Sequence, residues 1–501
     1  MRLPRLRRAP RPQRSDLWRE QRVERHAPLM PVRVALAVTL TLATGSAAGL
    51  VALALSPLGR AILGAEQPTT AEALEIVKIS LAVVAGIGGV VALVVAYRKQ
   101  RVTEAGETRE QAKHFHERFT TASGQLGNDS PAVRLAGVHA LSALADDWEG
   151  GRQMCIDVLC AYLRMPPGPE PDATTDAAEH TVWLGMGEVR ATIWRLIATH
   201  LKAYARIPWH GADLDFTGVP IAQDIDFSNT VFPAGIVRFN GATFSGGEVW
   251  FDGATFSGGQ VRFSRATFSG GKVRFGHATF SGGKVGFDHA TFSGGHIWFG
   301  DAAFSGGEVS FGGATFSGSE VWFQNATFSD SQVRFDHATF SGGKAWFGGA
   351  AISGGEVWFH SATFSGGEVG FGGATFSGGK VGFGRATFSG GQVGFGNVTF
   401  SGSQVWFHNA TFFGGEIGFD GATFSGGQVG FGRATFSGGQ VGFVGATFCG
   451  SRVGFVGARF SGGQVRFDGV ADWSHPPDGL PDKAPGLRLP PASAPDPAPD
   501  A

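Results

Sequence analysis

"ATFSGGEVWFDG", Ala242 to Gly253, is followed at once by ATFSGGQVRFSR (Ala254 to Arg265) and ATFSGGKVRFGH (Ala266 to His277). The register never slips from Ala242 to Gly469, a run of nineteen units of twelve. Within a unit, positions 1 and 3 are apolar around a residue that is threonine in most units, and positions 8 and 10 are apolar around a variable residue. Each pair reads as a short strand of period two with an inward face. Position 10 is phenylalanine in every unit. Position 3 is phenylalanine in all but one, where Ile352 stands. The Ser-Gly-Gly after the first strand and the small or polar pair after the second are corner residues.

Strands this short bury nothing alone, but stacked copies do, so the repeat predicts a solenoid of parallel coils. One unit encloses too small a cross-section for two phenylalanines, a valine and an alanine. Two units give a four-sided coil with four inward rings. The nineteen units then make a rod of roughly 45 Å at ~4.8 Å per coil, and each buried phenylalanine contributes ~1.5–3 kcal/mol before entropy costs.

Composition fits this reading. The chain of 501 residues carries 44 phenylalanines against 3 tyrosines, and 79 glycines. The formal net charge of −1 marks neither a polyanion nor a polycation. Three cysteines, Cys155, Cys160 and Cys449, make no disulfide framework and no zinc spacing. Cys155 and Cys160 read as reduced core thiols in a helix.

The first part of the chain reads as a membrane hairpin. An Arg-rich cytoplasmic N-terminus (1–33) precedes a transmembrane helix at 34–55. An external loop (56–78) leads to a second helix at 79–97. Ten arginines lie between Met1 and Arg33, and Arg98, Lys99 and Arg101 follow the second span. Positive flanks at both outer ends place both termini in the cytoplasm. That predicts a multi-pass protein of the cell membrane with its repeat region inside. The rival for the first span is a cleaved secretory signal. Gly45-xxx-Gly49 and Ala85-xxx-Gly89 are small-residue steps for helix packing, within the hairpin or in a homo-oligomer.

A helical region follows (98–205). Asp129-Ser130-Pro131 starts a helix, with Val133, Leu135, Val138, Leu141 and Leu144 as its apolar stripe. The segment 165–180, rich in proline and acid, reads as a disordered linker. His114 and His116 beside Glu117 lack metal-ligand spacing, so a solvated face is expected there. The repeat solenoid is placed at 206–470 and a disordered Pro/Ala/Asp tail at 471–501, with Trp473 available to cover the end of the core.

The segments ATFSG (Ala242 to Gly246) and VWFDG (Val249 to Gly253) each carry a small apolar residue two before a central large one. Gly247-Glu248 is a two-residue insertion between them, and Ala212 to Phe216 is a lead-in copy. The region resembles the pentapeptide-repeat proteins of the Phe-rich, expanded kind. The segments 132–148 and 155–166 resemble the helical region that precedes such repeats in actinobacterial membrane-attached members. The resemblance implies a mainly β fold, a right-handed quadrilateral parallel β-helix, behind two transmembrane helices and a small α-helical region.

Several members of that family mimic duplex DNA and inhibit topoisomerases, which requires an anionic surface. Between Ala242 and Gly469 thirteen acidic residues face thirteen basic ones. Modulation of a topoisomerase or another nucleic-acid enzyme is therefore disfavoured, and no nucleic acid is expected along the rod. The variable letters lie at outward positions, above all position 9, which is tryptophan at Trp250, Trp298, Trp322, Trp346, Trp358 and Trp406. With two units per coil, Trp298, Trp322 and Trp346 fall on one face as an exposed apolar strip, a candidate partner surface. Threonines at position 2 form outward ladders. His277, His289 and His337 at the corners align with no carboxylate column. Gly342-Gly343-Lys344 is followed by Ala345, so it is no phosphate loop. No catalytic, cofactor or metal constellation is expected. The reading is a non-enzymatic, membrane-tethered scaffold for a protein partner, with a passive spacer or organiser at the membrane as its alternative.

Overall fold

The structure, a computed structural model, describes residues 32–58, 61, 70–172, 174 and 176–490. The Arg-rich start up to residue 31, part of the expected external loop (59–60 and 62–69) and the tail beyond 490 lie outside the described residues. The chain divides into two compact units, Met1–His114 and Phe115–Ala501.

The first unit holds α1 (Val32–Leu55) and the first part of α2 (Thr70–Leu126). Within α2, Val77–Gln100 is long and apolar enough to cross a membrane, and none of it is buried. In α1 the apolar stretch Ala43–Leu53 is shorter than a span. Among the described residues one helix therefore meets the length and composition of a span, where two were expected. The Thr41 hydroxyl turns back to the Ala37 carbonyl at 2.8 Å. A Cβ added at Gly45, Gly49 or Gly89 would meet no other part of the described chain within 4 Å beyond its own helix backbone.

The second unit opens with helices α3 (Pro131–Asp147), α4 (Arg152–Arg164) and α5 (Ala177–Leu201). Pro131 stands in the first turn of α3, as expected, but the Ser130 side chain makes no capping bond. Val138, Leu141 and Leu144 are fully buried, whereas Val133, the head of the predicted stripe, is exposed. Cys155 and Cys160 lie in the core. Burial pushes Cys155 up to about 11 and Cys160 up to about 12. Of the expected linker 165–180, residues 173 and 175 lie outside the described residues, and the rest is more ordered than its composition suggests. Helix α5 already begins at Ala177, where the Asp176 side chain accepts from the Glu179 amide. The Trp183 indole donates to the Gly168 carbonyl at 3.1 Å and fastens the proline segment to α5.

From Leu214 onward the chain winds into parallel coils. The central register is uniform: Ile297 pairs with Val321, which pairs with Ala345, each step being two units along the chain. Two units of twelve thus close one coil. Each coil contributes four short strands to the sheets, one of which counts eleven strands. The phenylalanines of successive units form inward columns, one of them interrupted by Ile352. Phe299, Phe323 and Phe347 stack at 4.8 and 4.7 Å with ring planes 2° and 5° apart. Neighbouring columns meet edge-on, as Phe311 and Phe323 do at 6.2 Å and 87°. Offset stacking and edge-to-face contact are the two favourable aromatic geometries, and these rings make both.

The corners differ from expectation in their cause. Position 12 has positive φ in eighteen of the nineteen units, whether it is Gly253, Asn325, His277 or Arg265. That explains the corner histidines: they are left-handed turn residues, tolerated at this conformation. In Ser-Gly-Gly the second glycine is required by close approach. A Cβ on Gly367 would lie 2.7 Å from both the Gly343 carbonyl oxygen and Phe340 Cβ of the preceding coil.

Both ends of the core are covered, as repeat arrays require. At the start, the Trp194 ring of α5 packs on Phe216 at 4.5 Å, and Arg164 pairs with Asp215 at 2.8 Å. At the finish, the segment expected to be disordered from 471 continues as a looser coil to Arg488. Asp472 bridges to Thr447, Asp478 to Gly454, and Leu487 pairs with Val465. Trp473 packs on Phe448 and Phe467 at 5.9 and 5.2 Å. Composition missed this because a Pro/Asp segment that cannot fold alone can still pair with an open sheet edge.

Candidate interaction surface

Outward side chains come from positions 7 and 9 of the second strand of each unit. Alternate units face opposite ways, so these positions build two separate columns. The first runs Trp250, Arg274, Trp298, Trp322, Trp346, Gly370 and Gly394. The second runs Arg334, Trp358, Gly382, Trp406 and Gly430. Trp298, Trp322 and Trp346 are brought together, with ring centroids 5.8 and 6.0 Å apart and planes 28° and 20° apart. Trp250 shares their face but is separated by Arg274. Trp358 and Trp406 belong to the other column and meet each other across Gly382 at 5.9 Å.

All six indoles are half-buried, not the exposed strip the spacing suggested. Trp346 and Trp358 lean along their columns over the next coil, where glycine leaves room. A Cβ on Gly370 would lie 2.5 Å from the Trp346 ring, and one on Gly382 would lie 2.5 Å from the Trp358 ring. The signal was present in the sequence as a tryptophan followed two units later by glycine. Acceptors for the indole N–H differ between strands. Trp322 donates to Glu320 at 3.2 Å and Trp358 to Glu356 at 3.1 Å. Trp346, with Lys344 in the place of that glutamate, has a buried Nε1 with no partner.

Position 7 carries charged and polar side chains that pair between coils. On the first face Glu248 pairs with Lys272 at 2.9 Å, His296 with Glu320 at 3.4 Å, and Lys344 with Glu368 at 3.7 Å. On the second, Lys284 pairs with Glu308 at 2.9 Å and Glu356 with Lys380 at 3.1 Å. The hydrogen bond from Lys272 holds the Glu248 carboxyl below its ordinary pKa. Burial pushes Glu356 upward, but Lys380, Trp358 and Arg334 together outweigh it and hold that carboxyl low. Exposed pairs of this kind contribute about 0–1 kcal/mol each. Their larger effect is to cancel charge locally along both faces.

Between Arg274, Trp298 and Trp322 the first face holds a depression of about 460 Å³, edged by Glu248, Lys272 and Glu320. Past Trp346 the column changes to glycine and leaves a shallow trough of about 270 Å³ edged by Glu368, Gln392, Glu416 and Asp420. On one face the position-2 threonines run on as Thr267, Thr291, Thr315 and Thr339, while on the other Ala303 and Ala351 interrupt the column. His116 packs on Trp148 with centroids 5.2 Å apart. Among the described residues no group of three or more His, Cys, Asp or Glu stands together in a metal-holding arrangement.

With this geometry established, comparison with protein families gives one match. The family model described as pentapeptide repeats matches in nine copies, with residues 246–291 aligned. This is a pentapeptide-repeat protein. Comparison with curated proteins and with solved structures gives no match. In pentapeptide-repeat terms, the central phenylalanines of each pentapeptide form the columns, and the two-residue insertion carries the outward position 7. The insertion lengthens every unit to twelve without breaking the four-sided parallel stack.

Proposed function

We propose that this pentapeptide-repeat protein is a non-enzymatic scaffold, tethered to the cell membrane, whose solenoid presents a tryptophan-bearing face to a protein partner on the cytoplasmic side. The observation that carries the reading is the column Trp298, Trp322 and Trp346 beside a depression with mixed charges at its rim. Aromatic side chains set among paired polar groups are the composition of an interface core and its rim. The local pairing of charge argues against DNA mimicry, which needs a sustained anionic face. The tether is Val77–Gln100, with the basic residues Arg98, Lys99 and Arg101 at its end setting the cytoplasmic side. Helix α1 is proposed as the first span of a multi-pass hairpin, with Val77–Gln100 returning the chain to the cytoplasm. Support comes from the cleft where Ala47, Ala48 and Val51 of α1 face Val77, Leu81 and Val84 of α2.

The test is affinity capture from native membranes with the wild-type chain and with Trp322→Ala plus Trp346→Ala. The proposal expects a partner enriched by the wild type and depleted at least tenfold by the double variant, with circular dichroism unchanged. Equal capture by both removes the tryptophan surface and leaves a passive spacer.

A further inference from the structure

A groove of about 850 Å³ lies where the helices meet the first coil, well away from the tryptophan columns. Its walls are the end of α4, the proline segment after it, the first turns of α5, and Pro220 to Gln223 of the solenoid. The volume falls in the range of small-molecule sites, about 300–1,000 Å³. Most of the lining is apolar, with Met165, Val182, Trp183 and Met186 along its length. The groove is held open from within, because Trp183 is bonded to Gly168 and Arg190 to Met165.

Two guanidinium groups line this apolar space, and neither is paired with a carboxylate among the described residues. Arg190 donates to the carbonyls of Leu163 at 2.7 Å and Met165 at 2.9 Å, at the end of α4. A helix C-terminus supplies about half a negative charge, so part of the Arg190 charge stays uncompensated. Arg134 donates to the Tyr162 hydroxyl at 3.2 Å and to the Asn128 carbonyl, and lies over the Tyr162 ring at 5.7 Å. Glu179 stands exposed at the rim. By contrast, Arg118 and Arg164 in the same unit each have an aspartate within 3 Å. A third donor, Gln223 Nε2, lines the groove buried and without an acceptor. Burial lowers the Arg190 pKa, the direction expected of a cation short of a counter-ion.

We infer that the groove binds an amphiphile with one carboxylate on an apolar chain, a fatty acid or its close analogue. The carboxylate is received by Arg134, Arg190 and the Gln223 amide, and the chain lies along Met165, Val182, Trp183 and Met186. A carboxylate accepts from two guanidiniums and an amide at once, which a neutral or cationic head group cannot do. The free acid is the assigned ligand, and an anionic bilayer surface acting in its place is distinguished by the test.

The experiment uses the full chain held in an amphipathic polymer and titrates octanoate, 1-octanol and octylammonium by calorimetry. Octanoate is expected to saturate at one per chain, with 1-octanol at least tenfold weaker and octylammonium not binding. Val182 is exposed on the rim, so Val182→Asp and Val182→Lys both keep the fold. The aspartate variant is expected to bind octanoate at least tenfold more weakly than the lysine variant. Vesicles of phosphatidylglycerol are expected not to displace octanoate; displacement would reassign the site to a lipid head group and overturn the free-acid ligand. Equal affinity for octanoate and octanol, equal affinity in the two variants, or no saturable binding would each overturn the inference.

Discussion

Replacing Phe323 by alanine tests the packing that holds the solenoid up. Its ring is fully buried in the middle of the array. It stacks on Phe299 and Phe347 at 4.8 and 4.7 Å, and meets Phe311 and Phe335 edge-on, both at 6.2 Å. A core Phe→Ala change costs about 3–5 kcal/mol. Four aromatic neighbours in favourable geometry put this one at the upper end, since such pairs add about 0.5–1.5 kcal/mol beyond burial. Repeat arrays are stabilised by nearest-neighbour contacts, so the loss stays local. Native-state hydrogen exchange is therefore the assay. About 5 kcal/mol corresponds to roughly a five-thousandfold faster opening, here at the amides of 297–299, 321–323 and 345–347, with little change in coils several turns away. Phe460, only half-buried in the last regular coil, is the control. Its replacement is expected to cost below about 2 kcal/mol, since less area is withdrawn from water. A central cost under about 1 kcal/mol, or equal costs at Phe323 and Phe460, would refute the column as the source of stability.

Other outcomes follow from the same geometry. A thiol reagent is expected to modify Cys449 alone in the folded chain and all three cysteines in denaturant, read by mass spectrometry, because Cys155 and Cys160 are buried with raised pKa values. Desolvation lowers the His408 pKa from its ordinary 6.5, so its neutral form is favoured in the fold. Its contribution is then complete above about pH 6.5 and is lost as pH falls toward the folded value. An NMR titration of the ring checks the direction, and a midpoint at or above 6.5 would contradict it. Gly370→Ala places a Cβ into the space of the Trp346 ring and is expected to shift the Trp346 indole signal and raise its exposure to quencher, with the Trp358 signal unchanged.

Much of the solenoid was legible because its repeat is a physical period. Phenylalanines at positions 3 and 10 fixed the inward faces, and the volume of four rings decided for two units per coil over one. The alignment of Trp298, Trp322 and Trp346 followed from that closure alone. What strand periodicity does not encode is how an outward side chain lies down. The half-burial of Trp346 depends on Gly370, a residue one coil away. Nor does a glycine-rich corner announce which residue takes the left-handed turn, which here is His277 or Arg265 as readily as Gly253. The groove at Arg134, Arg190 and Gln223 joins residues far apart along the chain, in regions with no repeat to align them. The ordered stretch from 471 to 490 depends on a sheet edge that composition cannot see.

The surface assignment is tested most directly by photo-crosslinking in native membranes. A photoreactive residue replaces Gln324, exposed two positions beyond Trp322, or Gln428, exposed on the opposite face. The account predicts a single defined protein adduct from position 324 that is missing from position 428. No adduct at 324, or the same adducts at both positions, would contradict it.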